Sequence, residues 1–114
     1  MFERDPSWPL WGVQSLLVIT VLFRIKLTQY GRFVREVHEN ARLSLEKEHE
    51  CYRFDVSCAP ERNEVFLYEI YADATAFDLH KNMSHYLEFS AVTKPWIEEK
   101  NVRRFYMRKD NKDG

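Results

Sequence analysis

Cysteine is scarce in this chain: Cys51 and Cys58 are the only two, and they form no CxxC pair and no His/Cys cluster with metal-ligand spacing. On one extended strand their odd separation sends the two thiols to opposite faces, so no bridge between them is expected. A reduced, cytoplasmic protein follows as the default. There is no Gly-rich phosphate loop, no nucleophile elbow and no HExxH, which excludes the common cofactor folds. The chain also lacks a dominant charge. A formal balance of −1 argues against a broad nucleic-acid footprint, and the basic run "RRFYMRK" is expected to be a solvated strand edge. Long hydrophobic runs are missing too. "WPLWGVQSLLVITVLFRIK" is broken early by Pro9, Gly12, Gln14 and Ser15, and a transmembrane helix needs about 18 uninterrupted apolar residues. The start "MFERDPSWP" has neither a basic lead nor a small-residue cleavage site. Neither membrane anchoring nor secretion is expected.

What the sequence does contain is one domain's worth of apolar and charged residues: 114 positions, 45% hydrophobic, 15% aromatic and 31% charged. A domain of this size has a modest interior, so pairing with a second copy would add burial. "LLVITVLFRIK" is β-branched and aliphatic and reads as a central strand. In "LTQYGRFVREVHENARLSLEKE", Tyr30, Phe33, Val34, Val37, Ala41 and Leu45 recur at helical spacing, with Thr28 as the expected cap. "CYRFDVSC" and "EVFLYEIYA" flank the polar "APERN" as a hairpin. Asp73 and Ser84 are expected to cap two helical segments, "ATAFDLHK" and "HYLEFSAVTK", and "NVRRFYMR" reads as a closing strand. The order is β-α-β-β-α-β, an α+β, ferredoxin-like pattern. Residues 1–15 form an N-terminal lead, 16–108 the domain and 109–114 a polar tail.

Three titratable groups fall among apolar neighbours. Alternation places Glu69 on one strand face with Val65, Leu67 and Tyr71, where a bare carboxylate would be costly. Arg53 on the preceding strand is its expected partner, sharing a face with Cys51 and Asp55. Such a pair either fixes sheet register or orients a substrate. His80 shares the inward stripe of Ala76 and Phe77, and His85 repeats the geometry with Phe89 and Val92 after a break at "NMS". A helix break exposes backbone N–H groups that can meet an anion. His38 and His49 read as surface residues. Aromatic side chains including Phe54, Tyr71, Phe77 and Tyr86 either wall a planar ligand or simply fill a small core. Lys81 either meets an anionic group or is solvated.

"ECYRFDV" followed by "FLYEIYADATAFDLHKNMSHYLEF" resembles the antibiotic biosynthesis monooxygenase family. The matching positions are Glu48, Cys51, Arg53, Phe54, Asp55 and Val56, then Tyr68, Glu69, Tyr71, Asp73, Ala76, Phe77, His80, His85 and Tyr86. "EHEC" departs from the family's Pro-Gly turn, which bears on where Arg53 points, and Trp8 and Trp11 lie in a longer N-terminus. The resemblance implies a homodimeric α+β barrel with a pocket between sheet and helices in each subunit. It implies an oxygenase with no cofactor and no metal, while the charge balance and the interrupted hydrophobic run leave nucleic acid and membrane unexpected as partners. Haem-degrading relatives rely on Trp and His where this chain has Leu79 and Ser90. "HKNMSHY" looks most like the branches that oxidise quinols or process phosphorylated autoinducer-2. Besides a purely structural interaction domain, whose inward polar residues would be fully paired and leave no cavity, three functions are in view. They are a cofactor-independent monooxygenase of a quinol- or phenol-like substrate and O₂, an isomerase of a small phosphorylated ketone, and a dimeric small-molecule binding module without turnover. For the enzyme, His80, Glu69 and His85 are the expected catalytic groups, with Arg53, Phe54, Tyr71, Phe77, Lys81 and Tyr86 around the substrate.

Overall fold

The computed structural model describes residues 15–108; the tryptophans of the N-terminal lead and the polar tail lie outside them. Four strands form one antiparallel sheet in the order β2-β3-β1-β4. They are β1 (Ser15–Ile25), β2 (Cys51–Ala59), β3 (Glu64–Tyr71) and β4 (Ile97–Arg108). Helices α1 (Tyr30–Lys47), α2 (Ala74–His80) and α3 (Ser84–Thr93) cover one face. This is the expected ferredoxin-like arrangement, with the second helical region divided in two.

The most apolar strand, β1, lies in the middle of the sheet, paired with β3 on one edge and with β4 on the other, and β3 is the second interior strand. Its alternation sorts the domain. Leu17, Ile19, Val21, Phe23 and Ile25 are buried against the helices, while Leu22 and Arg24 stay open on the other side. From α1 come Phe33, Val37 and Ala41, as the period predicts, but the stripe continues through Asn40 and Ser44 while Leu45 faces outward. Likewise α3 buries Thr93, whose hydroxyl donates to the Phe89 carbonyl at 2.8 Å, and leaves Val92 exposed.

The β2–β3 hairpin turns through Pro60–Arg62 and Asn63, whose left-handed φ of 58° suits asparagine. Asp73 caps α2 as expected, its Oδ1 accepting from Ala76 N–H at 2.9 Å. Thr28 and Ser84 do not cap. Thr28 sits inside a short 3₁₀ turn that hands over to α1 at Gln29, and Ser84 is already helical behind Met83. Both cysteines are free, Cys51 buried and Cys58 exposed.

One irregularity matters for the chemistry. The β2–β3 register slips between Cys51 and Arg53, so Cys51 opposes Tyr71 while Arg53 opposes Ile70. The bulge puts Cys51 and Phe54 on the helix face and turns Arg53 and Asp55 to the bare face. Arg53 is therefore not the partner of Glu69, nor does it share a face with Cys51. It pairs instead with Asp55 at 2.7 Å and lies 5.7 Å from the centre of the Tyr68 ring.

Candidate functional site

A cavity of about 260 Å³ opens between the helix face of the sheet and the helices. Its walls are Ile19, Val21, Phe23 and Leu67 from β1 and β3, Phe54 from β2, and Phe77 and Phe89 from the helices. Polar groups enter at Asn40, Glu69, His80, Lys81, Tyr86, Lys100 and Arg104. Glu69, His80, Phe54, Phe77, Lys81 and Tyr86 thus meet at one void. Tyr71 stands directly behind it, while Arg53 and His85 are not among its lining residues.

Glu69 is buried at 3% exposure because β3 alternation forces it inward beside Leu67 and Tyr71. Tyr71 supplies the partner: its hydroxyl donates to Glu69 Oε1 at 2.6 Å. Burial pushes the Glu69 carboxyl up to about 7, and the Glu48 charge adds to this, while the Tyr71 hydrogen bond and the Lys100 charge pull the other way. A carboxyl poised near neutrality can take or give a proton at physiological pH. Burial and the adjoining carboxylate raise the Tyr71 phenol far above its ordinary value, so it stays a donor. Burial also pushes the Cys51 thiol up to about 12, which leaves it an unreactive core group.

His80 is 2% exposed and is packed against Tyr71, Phe77 and Tyr86, with ring centres at 5.3, 6.1 and 5.0 Å. Its Nδ1–H donates to the Glu48 carboxylate, at 2.9 Å to Oε2. Its Nε2 has no hydrogen-bond partner among the described residues. A carboxylate on Nδ1 fixes the tautomer that leaves Nε2 able to accept a proton. His85 donates from Nε2 to the same Glu48 oxygen at 2.5 Å. It therefore serves the carboxylate from the side away from the cavity.

Glu48 is the residue that sequence reasoning left without a role. It lies just past α1, where neither helical nor strand period assigns a direction, although it matched the family pattern. Burial pushes its carboxyl up, but hydrogen bonds and charge from His80 and His85 outweigh that and hold it below its ordinary value. With the two imidazoles it brings three potential ligand atoms within 4.8 Å of one another, a donor set that suits a divalent transition metal. Each of those nitrogens is already satisfied by the carboxylate, so the cluster is complete as a hydrogen-bonded unit. Asn40, Lys100 and Arg104 were also missed, Asn40 because an apolar-only period passes over a polar residue on the inward stripe of α1, and Lys100 and Arg104 because a side chain's reach from the edge strand β4 leaves no trace in sequence spacing.

A model of the antibiotic biosynthesis monooxygenase family matches residues 16–92. The chain belongs to that family. Among solved structures, a candidate antibiotic biosynthesis monooxygenase from Nitrosomonas europaea superposes with a TM-score of 0.73 at 22% identity, covering 87% of this chain and 94% of that one. PA3566 from Pseudomonas aeruginosa gives 0.76 at 18% identity, with 83% and 96% covered. A second candidate monooxygenase, from Bacteroides thetaiotaomicron, gives 0.73 at 20%, with 76% and 84% covered. At these identities the structural likeness speaks to the fold. No curated protein matches the chain. Membership in the antibiotic biosynthesis monooxygenase family supports a monooxygenase-type activity on a small molecule. Among the described residues of this family member, no helix is long and apolar enough to cross a membrane.

Proposed function

We propose that this protein is a cofactor-independent monooxygenase of a small, electron-rich aromatic substrate of the phenol or quinol kind. The observation that carries the reading is one aromatic-walled cavity holding both His80, backed by Glu48, and a Glu69 carboxyl poised near 7. A phenol bound there gives its proton to His80 Nε2, and the imidazolium is held by Glu48. The resulting anion is electron-rich enough to pass an electron to O₂. Recombination forms a C–O bond to a peroxide, and loss of water leaves a quinone. One oxygen atom enters the product and the other leaves as water, so the substrate supplies all the electrons. Glu69, held from behind by the Tyr71 hydroxyl, faces the developing charge and in its neutral form is a proton donor to it, in a site mostly lined by carbon.

Oxygen uptake and product mass, measured with a panel of hydroquinones and anthrones, test this directly. The His80→Ala variant is expected to lose about 10²–10⁴-fold in kcat/KM on any substrate found. Unchanged turnover in that variant removes His80 from the chemistry. The basic residues at the cavity favour a second reading, isomerisation of a small phosphorylated ketone through an enediol, and turnover without oxygen uptake would select it. The proposal includes a homodimer, with a second copy on the bare sheet face. There Leu22 and Phe66 are neighbours in register and both exposed, and Phe105 lies open beside Val18.

A further inference from the structure

The cavity's charge runs against that of the chain. Three permanent cations, Lys81, Lys100 and Arg104, line it, and Glu69 is the one carboxyl among its lining residues. That carboxyl is itself drawn toward its neutral form by burial. The chain as a whole carries −1, so this concentration of one sign is local. Its parts come from elements far apart in sequence. Lys81 follows α2, while Lys100 and Arg104 stand on β4, opposite Phe23 and Ile19 of the helix-facing side of β1.

The cations are also seated. Lys81 Nζ lies 4.7 Å from the centre of the Phe77 ring and the Arg104 guanidinium 5.7 Å from that same centre. Lys100 Nζ lies 5.8 Å from the Phe23 ring. An aromatic face attracts a cation without neutralising it, so these contacts orient the charges and leave their hydrogen-bond donors for another group. Among the described residues neither Lys100 nor Arg104 forms an ion pair. Lys81 has only Asp78, at 3.8 Å and well exposed, an arrangement worth little. Two cations gathered at one phenyl ring repel each other, and an anion between them would turn that repulsion into attraction. Phe77 also stacks on His80, with an interplanar angle of 14°, so a group held at this ring is next to the imidazole.

We infer that the cavity takes an anionic aromatic ligand, whose carboxylate or phosphate lies between Lys81 and Arg104 while its ring occupies the apolar wall, with Lys100 contributing to the attracting field. This rests on the cavity being the substrate site of the proposed oxygenase, but it does not require that oxygen be consumed. An arginine and a lysine flanking a planar anion provide charge-assisted donors at the exposed rim of the cavity, where they favour a charged ligand over a neutral one.

Calorimetric titration of the full chain with para-hydroxybenzoate, phenyl phosphate and the neutral para-hydroxybenzamide tests it. The anions are expected to bind about tenfold or more tightly than the amide, with the advantage shrinking as salt rises. Whichever of carboxylate and phosphate binds more tightly identifies the anion. In the Lys81→Gln, Arg104→Gln double variant the anion advantage is expected to vanish while affinity for the amide stays within about twofold. Equal affinities in the wild type, no binding of any probe, or an anion advantage that survives the double substitution each overturn the inference. Oxygen uptake with bound anion is read separately. Anion preference without uptake keeps the subsite and removes the oxygenase, whereas uptake on neutral quinols without anion preference does the reverse.

Discussion

Glu69 and Glu48 are buried carboxyls whose proton equilibria move in opposite directions, and each leaves a mark on stability. The unfolded chain releases the Glu69 proton near the ordinary value of 4.5, and the folded chain holds it to about 7. Between those values the folded state binds more protons, so stability falls as pH rises. Glu69→Gln removes that dependence. The stability of the variant relative to wild type is therefore expected to improve by on the order of 3 kcal/mol between about pH 5 and about pH 8, measured by denaturant titration. A gap between the two proteins that does not change with pH would mean that Glu69 is ionised throughout. Glu48 has the reverse sign, because its folded carboxyl is lowered, so its contribution is present above its unfolded value and lost on acidification. Strand alternation made Glu69 legible as an inward group before any coordinates. The expected partner Arg53 failed because the extra residue in β2 turns it to the other face, and the partner found, Tyr71, is the neighbour that alternation had already placed on the same face of β3.

At the scale of elements, the sequence displayed what period and cap chemistry control. All four strands, the hairpin and the helical regions lie where their patterns put them, and Asp73 caps α2 as its position predicts. Asp73→Ala is expected to lower unfolding free energy by about 1 kcal/mol, checked by thermal or denaturant melts, with Asp73→Asn close to wild type. If both variants melt alike, the cap hydrogen bond contributes nothing. Period failed where a polar residue takes a core place. Asn40 and Ser44 lie on the inward stripe of α1, and Asn40 Oδ1 and Ser44 Oγ are buried with no hydrogen-bond partner among the described residues. An apolar-only template assigns those places to Leu45 instead. Loop residues such as Glu48 have no period at all, which is why half of the His80 pairing stayed hidden.

The whole domain is two-sided. One sheet face is sealed by helices around a cavity. The other carries Leu22 at 39%, Phe66 at 39% and Phe105 at 49% exposure. Exposed apolar side chains on this face are the ground for the proposed homodimer. In solution the protein is expected to be a dimer by light scattering, and Phe66→Glu with Phe105→Glu is expected to yield a folded monomer. A wild type that remains monomeric at high concentration would refute the homodimer. The cavity residues named above all belong to one chain.

Glu48 gathers the end of α1, His80 of α2 and His85 of α3 onto one pair of oxygens. Scaffold and chemistry therefore share a component. Under the proposed mechanism, substitutions at His85 propagate to His80 through the Glu48 oxygen they hold in common, and the effects of altering both histidines are expected not to add. If His80 is the base, the apolar walls can vary freely, whereas retuning it means changing how α2 and α3 are fastened to the end of α1. Selection on specificity would be expected to work through the walls and the basic rim, leaving this knot in place.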